Sequence, residues 1–169
     1  MAAGHPQATD ALRGERPLIF VTVGTHHQPF QRLLDALGSL PPAELVVQFG
    51  HGSPPAGARH AARFMGFAEM LEHFRSADAV VTHAGVGSIL CARRAGHIPV
   101  VVPRQRRYGE HVDDHQVELT RALEERQAVI AVWEVNRLNE ALDSASDRRE
   151  RPSSAANGRL PRAIRKALL

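Results

Sequence analysis

Three stretches of this chain place glycine, hydroxyl and imidazole groups where a strand would hand over to a helix. In VVTHAGVGSIL, Val80 to Leu90, an apolar run ends at Gly85, a second glycine follows at Gly87, and Ser88 stands where a helix begins. Glycines let the backbone approach a ligand closely, and the free N–H groups of a first helical turn attract an anion. Gly85, Val86, Gly87 and Ser88 are therefore candidates for a phosphate cradle. A plain strand-to-helix turn is the alternative, because neither the full dinucleotide fingerprint nor a Walker lysine is present. TVGTHHQ repeats the device earlier, with Gly24 closing a strand and Thr25 offering a hydroxyl beside the same anion. His26 and His27 could bind a metal, act as bases or simply be solvated. No other histidine or carboxylate stands at a convincing metal spacing from them, so no metal site is expected. The third stretch, PRQRRYGEHVDDHQVEL, gathers Arg104, Arg106, Arg107, Tyr108, Glu110, His111, Asp113, Asp114, His115 and Gln116. Arginines suit phosphate or an acidic partner, while Glu, Gln and His suit sugar hydroxyls. The alternative is a charged loop with a helix cap at Asp113 or Asp114. His83, just before the first glycine pair, is a candidate general base or a structural residue closing a buried strand.

The elements that must position these groups follow a regular alternation. LIFVTVG, ELVVQFG, ARFMGF, DAVVTHAG, HIPVVVP and QAVIAV read as six strands. Helical spacing fills the intervals: Phe30 to Leu40, a helix through Met70, Leu71 and Phe74, Gly87 to Ala95, Asp114 to Glu125, and a last helix over VNRLNEALDSA. Strands alternating with helices imply parallel βαβ units with right-handed crossovers. Ligands of such open sheets bind at the carboxyl ends of the strands, where the glycine turns fall.

Composition narrows the classes. A chain of 169 residues suits one domain with tails, and 43% hydrophobic residues supply a core. No run approaches the roughly 18 to 20 apolar residues of a membrane span. Residues 1–16 mix Pro, Gly and charges and lack the apolar core of a secretory signal, so they read as a loose leader before a domain over 17–143. Residence in the cytoplasm is the expectation. The lone Cys91 rules out an internal disulfide. Basic residues number 21 against 18 acidic ones, but seven of the basic ones, against two acidic, fall from Ser144 onward. The body carries no net positive charge, which argues against a nucleic-acid surface. In the basic tail, 144–169, Leu160, Ile164 and Leu168 share one helical stripe beside Arg162, Arg165 and Lys166. That pattern fits an amphipathic helix on an anionic membrane or a partner, or a solvated tail.

Taken in order, IFVTVGTH, ADAVVTHAGVGSIL and GHIPVVVPRQRRYGEHVDDHQVEL resemble the C-terminal domain of glycosyltransferase family 28 over roughly Leu18 to Leu142. The pattern is most similar to its short split-subunit members in bacterial exopolysaccharide or capsule synthesis and in the dolichol pathway. The resemblance implies an α/β fold: a Rossmann-like parallel sheet with helices on both faces, equivalent to the C-terminal, donor-binding half of a GT-B enzyme. It implies that Gly85, Val86, Gly87 and Ser88 hold the donor diphosphate, with Gly24 and Thr25 facing the same phosphates. Phe67 would border the uracil, and His115 and Gln116 match the pair whose Gln contacts the donor sugar. Glu110 and His111 belong to a YGEH signature placed at the sugar or the subunit interface, and with His83 they are the candidate catalytic residues. Many members carry a ribose-binding Glu three residues after the loop hydroxyl; here that position is Cys91, and a thiol replaces a carboxylate poorly. The implied activity is metal-independent, inverting transfer of a hexose from a UDP-sugar to a lipid-linked saccharide, with no cofactor besides that donor substrate. A membrane-associated acceptor-binding subunit would be the partner, recruiting the chain to the inner face of the cytoplasmic membrane. The alternatives are a non-catalytic nucleotide-sugar-binding or regulatory subunit and a UDP-sugar epimerase-like domain.

Overall fold

The computed structural model describes residues 16–41 and 43–148. The expected leader and nearly all of the basic tail, with Leu160, Ile164 and Leu168, lie outside the described residues. Six parallel strands form one sheet: β1 (Leu18–Thr22), β2 (Glu44–Gln48), β3 (His60–Ala62), β4 (Ala79–Thr82), β5 (Val100–Val101) and β6 (Ile130–Ala131). Their order is β3-β2-β1-β4-β5-β6. The chain winds outward in one direction from β1, then returns to its other side with β4, so a crevice opens between the carboxyl ends of β1 and β4.

Period-two alternation builds the layers. Ile19, Val21 and Val23 point to one face, packing with helices α1 (Gln31–Ala36) and α5 (Leu138–Asp147) through Leu33, Leu34 and Leu138. Phe20, Val46 and Val80 point to the other, against α2 (Phe67–Ser76) and α3 (Val86–Arg94) through Phe74 and Ala92. On that side Ile89 and Val101 also meet α4 (His115–Glu125) through Leu123. Strands covered on both faces must be apolar throughout, which is why β1 and β4 read so plainly in the sequence. No described helix is long and apolar enough to cross a membrane.

Two boundaries differ from expectation. The third strand is His60–Ala62, not ARFMGF; residues 63–66 form the turn, and Phe67 opens α2. As an edge strand pairing only with β2, β3 has no need of a buried apolar run, and Phe64 and Phe67 are instead 46% and 70% exposed. The last helix, expected over residues 135–145, is a 3-10 turn over Val135–Arg137 followed by an α-helix over Leu138–Asp147, with Ala145 buried in the core.

Phe20 is fully buried on the central strand and meets Phe74 edge-to-face at 5.0 Å. Phe20→Ala should lower the unfolding free energy by about 3–5 kcal/mol in a urea titration, the range for a buried aromatic truncated to a cavity.

Candidate active site at the sheet switch point

The turns after β1 and β4 meet over a single side chain. Gly24 follows β1 with φ +77, a left-handed conformation that favours glycine. Gly85 is the extended N-cap of α3. Between them lies the ring of His83. A Cβ on Gly24 would come 2.6 Å from His83 Cε1 and Nε2, and one on Gly85 would come 2.2 Å from Nε2. Both glycines therefore admit the imidazole, and their lack of side chains is a packing requirement before any ligand arrives. Gly87 is different, because a Cβ there meets open space.

That space belongs to a cleft of about 290 Å³. Gly24 and Thr25 border it from the first turn, Gly85, Gly87 and Ser88 from the second, and His83 from the floor. Phe67, Met70 and Phe74 of α2 form an apolar wall, and Cys91 lies one helical turn beyond Ser88. Val86, 39% exposed, does not line the cleft but contributes its backbone to the first turn of α3. That turn has neither a side-chain cap nor an acidic residue, leaving its orphan amides for an anion. Buried Thr22 and Gln48 close the bottom, hydrogen-bonded Oγ1 to Oε1.

Electrostatics follow from the packing. Burial, and then the Arg104 cation, lower the pKa of His83 to about 4. At neutral pH the ring is uncharged and a poor proton acceptor, which suits a spacer better than a base. Burial also raises the pKa of the Cys91 thiol, keeping it protonated.

The loop after β5 is held by charges of its own. Arg104, 1% exposed, donates from Nη1 to the Gln28 and Glu110 carbonyls at 2.8 and 3.0 Å. Its Nη2 donates to the Val23 carbonyl at 2.9 Å. The Glu110 carboxylate accepts from Arg32 at both oxygens, 2.8 and 2.9 Å, and from the Gln105 amide at 3.0 Å. With both oxygens so engaged, Glu110 acts as an anchor for the loop. Gln116 is buried at the start of α4, and its Oε1 accepts from the amides of Ala84 and Arg104, at 3.2 and 3.1 Å. It ties the turn before α3 to the β5 loop. His111, 9% exposed, lies against His26, while His115 is exposed and hydrogen-bonded to Asp113. None of Glu110, His111, His115 or Gln116 lines the cleft itself.

Sequence reading missed Arg32, Thr22, Gln48 and Met70. Arg32 looks like an ordinary polar residue on an amphipathic helix, and Thr22 and Gln48 meet only because β2 pairs with β1. Patterning along one segment carries no signal for either.

An α/β unit with strand order 3-2-1-4-5-6 and its cleft at the switch point has the architecture of a nucleotide-binding domain. The family model described as glycosyltransferase family 28 C-terminal domain matches residues 18–166, and the chain belongs to that family. Among solved structures, it is similar to MurG of Acinetobacter baumannii, with 20% identity and a TM-score of 0.54 over 92% of this chain and 50% of that one. It is also similar to the glycotransferase of kitacinnamycin, with 21% identity and a TM-score of 0.51 over 86% of this chain and 38% of that one. The fold is thus the C-terminal, Rossmann-like half of GT-B glycosyltransferases, and the chain spans half or less of those two proteins. No curated protein matches it.

Two outcomes test the floor of the cleft. Gly85→Ala should cost about 1–3 kcal/mol by overpacking against His83. In a His83→Ala background most of that cost should disappear, giving a coupling energy in a double-mutant cycle. The second concerns pH. Native His83 titrates at about 4 and the unfolded side chain near 6.5, so as the pH falls the unfolded state takes up the proton first. Stability should therefore decline from about pH 6.5 to about pH 4. His83→Gln should flatten that part of the profile in thermal melts.

Proposed function

We propose that this chain is the donor-binding half of an inverting glycosyltransferase, taking a hexose from a UDP-sugar and passing it to a lipid-linked saccharide. Its family makes it a glycosyltransferase domain. The observation that carries the finer reading is the first turn of α3, uncapped and free of acidic residues, opening through Gly87 onto the cleft. The donor diphosphate would lie on these amides, with Gly24 and Thr25 on its other side and Phe67 bordering the base. Gln116, whose Oε1 is engaged, would offer its Nε2 to a sugar hydroxyl, and His115 stands beside it on α4.

In the reaction, the acceptor oxygen forms the new bond to the anomeric carbon from the face opposite the diphosphate. The carbon–oxygen bond to UDP breaks, and its electron pair leaves with the nucleotide. The amides and dipole of α3 stabilise that growing negative charge. A base must take the acceptor proton. With Glu110 engaged by Arg32, His83 held near a pKa of about 4 and His111 outside the cleft, that base is assigned to a second unit. Exposed Phe67, Val86, Tyr108 and Val112 suit coverage by such a unit, a membrane-associated acceptor-binding subunit that keeps this chain at the cytoplasmic face.

A second reading, a nucleotide-sugar-binding subunit without transferase activity, draws on Cys91. A protonated thiol stands in the cleft where a carboxylate would hold the ribose. Calorimetry with UDP and UDP-sugars tests the shared part: Gly87→Val and Ser88→Ala should each weaken binding at least tenfold, and unchanged affinity would remove the cradle. Radiolabelled UDP-sugar with the acceptor-binding subunit and membranes separates the readings. Label in lipid supports the transferase, binding without transfer supports the second reading, and turnover of UDP-sugar by this chain alone points to epimerase-like chemistry.

A further inference from the structure

Beside the cleft, the loop between β5 and α4 collects imidazoles. His27 stacks on His26, His26 lies against His111, and His111 meets His115 edge-on, each pair with ring centroids 4.5 Å apart. Asp113 sits between the last two. Its Oδ1 is 3.1 Å from His111 Nδ1 and in hydrogen-bond contact with His115 Nδ1, and it accepts the His115 backbone N–H at 3.1 Å. The ligating atoms of His111, Asp113 and His115 all lie within 4.8 Å of one another. We propose that these three residues form a binding site for a borderline divalent transition-metal ion, and that zinc is its occupant.

The chemistry of the donors selects the ion. Two imidazole nitrogens and one carboxylate suit zinc, cobalt or nickel, whereas magnesium and calcium prefer oxygen alone. Ligands about 2.0–2.1 Å from a tetrahedral ion lie about 3.3 Å from each other, close to the His111–Asp113 separation. His115 Nδ1 is hydrogen-bonded directly to Asp113 in the free protein, so its exposed ring must draw back for an ion to enter between them. Three protein ligands leave the fourth position open to solvent or an anionic oxygen.

The loop is also fixed before any ion binds. Glu110, one residue ahead of His111, is anchored by Arg32, and the Asp114 carboxylate accepts the Arg106 amide at 2.9 Å. The Asp114 carbonyl then starts α4, accepting the Val117 and Glu118 amides. Little ordering remains for the ligands, so less of the binding energy is lost to entropy. Among the described residues one other group could compete: His60, Glu69 and His73, whose nitrogens lie 3.5 and 3.9 Å from Glu69 Oε1. That group joins an edge strand to a helix surface. Its side chains are 49%, 45% and 23% exposed, whereas His111 is 9% exposed and lies against a further imidazole, His26. The site adjoins the donor-sugar position proposed for Gln116, but none of the three ligands lines the cleft, so zinc binding to the free chain is measured apart from UDP-sugar binding.

The full chain, stripped with a chelator and dialysed against zinc, should bind one equivalent, and millimolar magnesium should not displace it. Cobalt substitution should give the intense visible absorption of a tetrahedral site. His115 and Asp113 are both 56% exposed, so His115→Gln and Asp113→Asn should fold normally while losing at least tenfold in zinc affinity and the cobalt spectrum. His73→Gln should retain both. Absence of stoichiometric zinc, unchanged affinity in His115→Gln, or loss in His73→Gln instead would overturn the assignment.

Discussion

The carboxyl edge of the sheet depends on a guanidinium with almost no contact with water. Arg104 joins the end of β1, the loop before α1 and the loop after β5 by donating to one backbone carbonyl in each, and its plane lies over Phe30 at 4.7 Å. Burying a charge costs several kcal/mol unless it is paired and hydrogen-bonded. Burial does lower its pKa, to about 10, and Glu110 works against that shift. The side chain stays cationic at neutral pH. Lysine could not replace it, since three carbonyls on separate segments need a planar fork of donors.

From that cation the cleft follows in sequence. Glu110 supplies a carbonyl to Arg104 and a carboxylate to Arg32, so the β5 loop is locked to α1. The backbone amide of Arg104 shares Gln116 Oε1 with the amide of Ala84, which carries the same constraint to the turn before α3. The nearby positive charge also helps to keep His83 neutral. A neutral ring can be enclosed between two glycines at little desolvation cost, where an imidazolium could not. Loops that would otherwise be free at the strand ends are thereby held in one geometry, the preorganisation that a binding site made of backbone groups would require.

Much of this was legible in the sequence, and the limits have physical reasons. β1, β2 and β4 carry apolar runs on consecutive residues because they are covered on both faces; β3, at the edge, carries no such signature, and apolar patterning points to the segment that follows it. Gly24, Gly85, Gly87 and Ser88 could be picked out because strand-to-helix turns with glycine are local events. That Gly24 and Gly85 enclose His83 could not, since it depends on β1 and β4 being neighbours. His111, Asp113 and His115 were visible as a polar mixture, but their convergence was missed. Alternate residues diverge on a strand and only a turn entering a helix folds them onto one point.

The helices themselves show where the fold leaves electrostatic work undone. α2, α4 and α5 each place a glutamate in the first turn, Glu69, Glu118 and Glu140, where a carboxylate interacts favourably with the positive end of the helix dipole. α1 and α3 have none, and α3 also spends a first-turn position on Gly87, a residue that costs about 1 kcal/mol relative to alanine inside a helix. Both choices destabilise the free protein slightly, and no packing contact at Gly87 compensates, since a Cβ there meets nothing. A ligand anion on these amides would supply the missing negative charge. The close backbone approach that Gly87 permits would then be used, so the same two features that weaken the empty helix would strengthen a ligand-bound one.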